Sequence, residues 1–165
     1  MTIGKNVLER LRDALEHQPS SEEGRRYFYN QVHQDLRVQI MVAEADRFSS
    51  MLDRVQISPA ATDVPKLDFA ALSERAEQLV ERLTYLVENL AIIEADSESQ
   101  KIQIRSSEPR TEGERRSYFE IILDAGRNIA LRRFESENGL TRQVPFHVTD
   151  EVLQRLLDDL AVAVT

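Results

Sequence analysis

Tyr118-Phe119-Glu120-Ile121-Ile122-Leu123-Asp124-Ala125-Gly126-Arg127-Asn128-Ile129-Ala130-Leu131-Arg132-Arg133-Phe134 reads as two strands, Tyr118 to Asp124 and Asn128 to Glu135, folded back about a three-residue loop. Ala125-Gly126-Arg127 has the composition of such a loop, with the glycine free to take a positive φ. With Asp124 opposite Asn128, Leu123 faces Ile129, Ile121 faces Leu131, Glu120 faces Arg132 and Tyr118 faces Phe134. Every cross-strand pair is then chemically matched, and a slip of one residue loses them all.

Apolar residues recur at every second position from Leu90 to Val148, so the sheet extends on both sides of this hairpin. Downstream, Asn138-Gly139 signals a second hairpin with Glu137 opposite Leu140, which brings Leu131 against Phe146 and Ile129 against Val148. Pro145 cannot donate to a ladder, so this last strand is expected at an edge. Thr149 caps a final helix, with Val148 and Leu153 as its hydrophobic staple and Val152, Leu153, Leu156, Leu157 and Leu160 as its apolar face. Upstream, Leu90 to Ala95 and Lys101 to Ser106 flank the polar turn 97–100. Ser107 to Arg116 reads as a charged loop.

Before Val87 the apolar residues follow helical intervals. Val7, Leu8, Leu11 and Leu15 form one stripe, and Asn6 with Glu9 has reciprocal-cap spacing, so a short helix is expected to about Glu16, ended by Pro19. Ser20 and Glu23 repeat the cap spacing. Phe28, Val32, Leu36, Ile40, Ala43, Met51, Leu52 and Val55 then predict a long second helix over 21–56, about 50 Å in length. The alternation of Leu36, Val38, Ile40 and Val42 argues instead for a break near residue 40. Residues 58–65, with two prolines, read as a connector. A third helix follows, capped by Asp68, stapled by Leu67 and Leu72, and ending near Val87.

The expected fold class is therefore α+β: a helical N-terminal half of three helices, the second long, then an antiparallel meander of about five strands and a C-terminal helix packed on one face. The chain of 165 residues suits a single domain, 1–165, divisible into a helical subdomain 1–57 and an α+β core 66–165 about the connector.

The formal charge of −8 opposes non-specific nucleic-acid binding. The absence of cysteine excludes disulfides and thiolate metal sites, and fits the cytoplasm. No apolar stretch could span a bilayer as a helix, so no membrane association is expected. Residues 1–17 mix acids and bases, so neither a secretory signal nor a transit peptide is expected.

The register that buries Phe119, Ile121, Leu123, Ile129, Leu131, Val144 and Phe146 turns Tyr118, Glu120, Ile122, Arg132, Phe134 and His147 to the opposite face. Two aromatics, a carboxylate, a guanidinium and an imidazole compose a contact patch. The same residues also fit ordinary packing beneath the N-terminal helices. Arg105, Arg110, Arg115, Arg116 and Arg132 are candidate anion ligands, because the guanidinium fork donates two parallel hydrogen bonds; interleaved glutamates offer them local partners instead. Tyr27, Phe28 and Tyr29 are consecutive and cannot share one helical stripe, so Tyr27 and Tyr29 are further contact candidates on the helical arm. His17, His33 and His147 fall on separate elements, which gives no metal site, and no motif calls for a cofactor.

Three functions follow from these residues. The first is a non-enzymatic protein-interaction or adaptor module, homodimeric, meeting a protein partner through the outer sheet face or the helical arm. The second is a small-ligand or anion-binding domain built on the sheet arginines. The third is an enzyme using Glu120 and His147 as acid and base.

Overall fold

The computed structural model describes residues 2–18 and 26–165. The chain begins with helix α1 (Ile3–Glu16), capped by Thr2, whose hydroxyl accepts the Lys5 N–H. Asn6 lies inside this helix and is not its cap. The expected capping pair Ser20 and Glu23, together with Pro19, lies outside the described residues.

The long helix expected over 21–56 is absent from its described part. Three antiparallel strands stand there: β1 (Tyr27–His33), β2 (Leu36–Ala45) and β3 (Ser49–Pro59). The cause is arithmetic. Phe28, Val32, Leu36 and Ile40 are spaced by four, and four residues fit a period of 3.6 and a period of two equally well. The turn Gln34-Asp35 splits the series: Phe28 and Val32 face outward, while Leu36 and Ile40 are buried. Both turn residues have positive φ, 50° and 66°, as a two-residue hairpin loop requires, without a glycine to announce it. The next turn is held by Asp46, whose carboxylate accepts the N–H groups of Phe48 and Ser49 and the Ser49 hydroxyl proton. Those bonds hold its pKa below the ordinary carboxylate value.

Helix α2 (Phe69–Arg82) starts on Asp68, which accepts the Ala71 N–H, and stops short of the expected Val87. Seven further strands follow: β4 (Leu90–Asp96), β5 (Lys101–Ser106), β6 (Arg110–Glu112), β7 (Arg115–Asp124), β8 (Ile129–Glu137), β9 (Leu140–Val144) and β10 (Phe146–Thr149). Helix α3 (Asp150–Val164) closes the chain, capped by the Thr149 hydroxyl. Among the described residues the fold is thus three helices and one ten-stranded antiparallel sheet, with a single helix preceding the sheet. Neither three N-terminal helices nor a sheet of about five strands is correct.

The strand order is β1-β2-β3-β8-β7-β5-β4, with β10 on β3, β6 on β7 and β9 on β8. The β7–β8 register has Tyr118 opposite Phe134, Glu120 opposite Arg132 and Leu123 opposite Ile129. Its loop takes the positive φ at Arg127 (65°) and not at the glycine. The second hairpin pairs Glu137 with Leu140, yet Phe146 and Val148 do not reach β8. Their place opposite Leu131 and Ile129 is taken by Val55 and Ile57 of β3. Pro145 has no N–H to continue the ladder, so the chain leaves β8 after Val144 and rejoins the sheet with Phe146 opposite Leu52. Each half of the chain lays a helix and then strands from an outer edge toward the centre, α1-β1-β2-β3 and α2-β4-β5-β7-β8.

One face of the sheet carries the core. Val38, Ile40, Leu52, Val55, Ile57, Ile102, Ile104, Ile121, Leu123, Ile129 and Leu131 are fully buried there, beneath Val7, Leu11, Leu72, Leu79, Leu153, Leu156, Leu157 and Leu160 of the helices. Gly4 lets α1 approach α3 closely: a Cβ at that position would stand 2.1 Å from the Gln154 carbonyl oxygen. Its N–H donates to Asp158 at 2.7 Å. Arg12 ties three elements together, pairing through Nε with Asp150 at the start of α3 (2.9 Å) and donating to the Asp46 carbonyl oxygen (2.7 Å) after β2.

Candidate functional site on the outer sheet face

All three helices pack on the face that buries Ile121 and Leu131, so alternation leaves Tyr118, Glu120, Arg132 and Phe134 on an uncovered face. Three neighbouring strands contribute one row across it: Arg132 of β8, Glu120 of β7 and Arg105 of β5, each directly opposite the next. Glu120 Oε2 accepts from Arg105 Nε and Nη2 (3.3 and 3.2 Å) and from Gln103 Nε2 (2.9 Å). Its other oxygen lies 3.6 Å from Arg132 Nη2.

The next row is aromatic. Tyr118 and Phe134 stack with ring centroids 5.9 Å apart. The Arg105 guanidinium sits 5.1 Å from the Tyr118 ring centre and that of Arg132 lies 5.4 Å from Phe134. Glu120 is only 8% exposed, whereas the side chains of Arg105 and Arg132 are 39% and 35% exposed. One carboxylate oxygen therefore takes three donors and the other faces Arg132 as an ion pair, and the carboxylate holds two guanidiniums that keep N–H groups facing outward. A shallow depression of about 430 Å³ adjoins this row, lined in part by Gln56, Glu120, Ile122, Ala130 and Arg132.

The surrounding charge is uneven. Arg54 and Arg37 share the outer face through their positions opposite Met41 and Ser58, as does Arg116 opposite Ser136. Among the described residues neither Arg54 nor Arg116 pairs with a carboxylate. Acidic side chains of this face gather instead at the β4 corner, where Glu94, Asp96 and Asp124 accompany Lys101. A chain of net charge −8 thus presents a guanidinium-rich centre on this face.

The other expected residues are dispersed. His147 is exposed on β10 opposite Met51, and no hydrogen bond joins it to Glu120, so the acid and base of the enzymatic reading are not brought together. Arg110 and Arg115 point to the helix side of the sheet, where they pair with Glu112 (2.9 Å) and with Glu135 and Glu137 (both 3.5 Å). Of the five candidate anion ligands, only Arg105 and Arg132 converge on one carboxylate.

Tyr27 and Tyr29 lie on β1, not on a helical arm. Tyr27 is half-buried against the core, and Tyr29 is fully buried with its hydroxyl 2.6 Å from His33 Nε2. Burial pushes the Tyr29 phenol up to about 12 and lowers the His33 imidazole, to which the Arg10 charge also contributes. Phe28 holds the exposed position of the three. Among the described residues no cluster of His, Asp or Glu could hold a metal ion, and no helix is long and apolar enough to cross a membrane.

A buried polar cluster near the end of the core has no counterpart among the expected site residues. Arg133 donates to both oxygens of Glu88 (2.9 and 3.3 Å), Ser106 Oγ donates to Glu88 (2.9 Å), and the Phe119 N–H donates to Ser106 Oγ (2.8 Å). The Arg133 guanidinium lies 4.5 Å from the Phe119 ring centre. Its sequence signal is the inward parity of Arg133 after Ile129 and Leu131, which demands a buried carboxylate partner.

The fold and site define a two-layer α+β protein, helices on one side of an antiparallel sheet and a structured polar-aromatic surface on the other. Comparison of the chain with protein-family models, with curated proteins and with solved structures found no match.

Proposed function

We propose that this chain is a non-enzymatic protein-interaction module that holds a protein partner on its outer sheet face. The observation that carries the reading is the Tyr118–Phe134 stack, flanked by Arg105 and Arg132, which Glu120 fixes in place on a face that no helix covers. Aromatic rings and arginines are the side chains that concentrate binding energy at protein interfaces. Guanidiniums held before binding lose less conformational freedom when they bind. The excess of guanidinium over carboxylate around Arg54, Arg105 and Arg132 selects a partner surface that is acidic there.

The test is a crosslinked pull-down from native lysate with wild type, Tyr118→Ala/Phe134→Ala and Arg105→Ala/Arg132→Ala as baits, each first shown by circular dichroism to be folded. The expected result is one protein captured by wild type and lost with both variants. Capture of the same proteins by all three baits would overturn the reading.

A further inference from the structure

We propose that β1 is a self-pairing edge: a second copy of this chain adds antiparallel to it about a two-fold axis through Asn30, joining two sheets into one. This inference is independent of the outer-face reading, since none of the residues invoked there lies on β1.

The two outer strands of the sheet differ in kind. Strand β4 is interrupted by a bulge between Ile92 and Glu94 and carries Glu94 and Asp96, so a second β4 would meet both a kink and like charge. Strand β1, Tyr27-Phe28-Tyr29-Asn30-Gln31-Val32-His33, pairs residue for residue with β2 without a bulge. It contains no proline, no lysine, no arginine and no carboxylate. Among the described residues it therefore lacks the charged side chains, proline and bulge by which sheet edges are ordinarily protected.

Backbone parity decides which groups are free. The two-residue loop Gln34-Asp35, with both φ values positive, makes His33 and Leu36 a hydrogen-bonded pair. Alternation then assigns Tyr27, Tyr29 and Gln31 to the β2 ladder, and Phe28, Asn30 and Val32 direct their N–H and C=O groups to the open edge. The side chains of those same three residues lie on the outer face, where Phe28 is 43% and Val32 47% exposed.

A two-fold axis at Asn30 uses all of these features together. Asn30 meets Asn30 of the second copy, and each Phe28 meets the opposite Val32, in three pairs of the hydrogen-bonded kind. Two exposed apolar side chains thereby cover each other twice, a cross-strand pairing of the favourable aromatic and β-branched type. On the other face Tyr29 meets Gln31 and Tyr27 meets His33. A shift of the register by two in either direction sets Phe28 or Val32 against Asn30 and loses the match.

The absence of cysteine makes the geometry directly testable. In the expected register, Asn30→Cys places two thiols at a pair whose Cα atoms are about 5.5 Å apart, within disulfide range. The chain is predicted to sediment as a dimer, and Asn30→Cys to form a covalent dimer under mild oxidation. Phe28→Cys alone should not crosslink to itself, but should crosslink when mixed with Val32→Cys. Asn30→Pro removes an N–H that faces outward and spares the β1–β2 ladder, so it should weaken the dimer at least about tenfold.

A monomer at chain concentrations up to about 100 μM would overturn the proposal, because the edge would then not be self-sufficient. So would a dimer that survives Asn30→Pro with no disulfide through Asn30→Cys, since it would use another surface. Tyr118→Ala/Phe134→Ala should leave the dimer intact, which separates failure of this inference from failure of the outer-face reading.

Discussion

Arg133→Met should be the most damaging single change outside the aliphatic core. The side chains of Arg133 and Glu88 are only 11% and 6% exposed, and their pairing is bidentate. Methionine fills much the same volume, so the change isolates the charge: the Glu88 carboxylate stays buried, keeping the Ser106 hydroxyl and losing both guanidinium donors. Removing one partner of a buried pair costs about 3–5 kcal/mol, because the other must be left unpaired or carried to water. We take about 3 kcal/mol, since Ser106 retains one bond, and for a chain of this size that lowers Tm by about 6–12 °C. The double variant Glu88→Leu/Arg133→Met leaves no buried charge and should recover most of the loss, giving strong non-additivity in a double-mutant cycle. Thermal and urea melts by circular dichroism measure each corner of the cycle. A loss below about 1 kcal/mol for Arg133→Met, or additive losses in the double variant, would refute the buried-pair reasoning.

Three further outcomes are expected. As pH falls below 6.5 the unfolded chain takes up a proton that His33 in the folded chain resists, so stability should decline there; His33→Gln, which keeps an acceptor for Tyr29, should flatten urea-melt stability between pH 5 and 7.5. The Tyr29 phenol, raised to about 12, should appear as a late step in the 295 nm absorbance titration that Tyr29→Phe abolishes, and its contribution to stability should be lost between pH 10 and about 12. Gly4→Ala drives a methyl group into the Gln154 carbonyl and should cost about 1–3 kcal/mol by forcing α1 from α3, read as a lowered Tm; an unchanged melt would show that the helices can shift freely.

The sheet around Tyr118 and Phe134 was legible because each cross-strand pair constrains the next, and a wrong register would have mismatched all of them at once. The strands before it were not. Phe28, Val32, Leu36 and Ile40 satisfy two periods, and the residues that separate them, Gln34 and Asp35, turn the chain without glycine or proline. Once Leu36, Val38, Ile40 and Val42 are read with period two, β2 follows, and Asp46 with Ser49 supplies the next turn.

The site inherits the same division. Glu120, Arg132, Tyr118 and Phe134 could be placed on one face from their hairpin alone. Arg54 could not, because it lay within the supposed helix. His147 was set on the right face but carried away from Glu120, since Pro145 moves its strand from β8 to β3. Sequence parity assigns faces, whereas only the strand order assigns neighbours.

That strand order also explains how the outer face stays exposed to water while carrying two stacked aromatic rings. Arg105 and Arg132 lie against Tyr118 and Phe134 and shield part of the rings with charge, and Glu120 holds both guanidiniums in those positions. On the proposed protein-interaction reading, Glu120 is a positioning residue whose main effect is on binding. Glu120→Gln keeps the bond to Arg105 through its amide oxygen but releases the electrostatic hold on both guanidiniums, so the rings lose their ordered rim and the partner must order it anew. A folded variant with only a modest fall in Tm, because Arg105 and Arg132 are part-exposed and can turn to water, and with a weakened partner complex is the expected consequence. A general acid or base at the same position would instead leave binding intact and abolish turnover, which makes this one substitution the sharpest division between a surface that recognises and a surface that reacts.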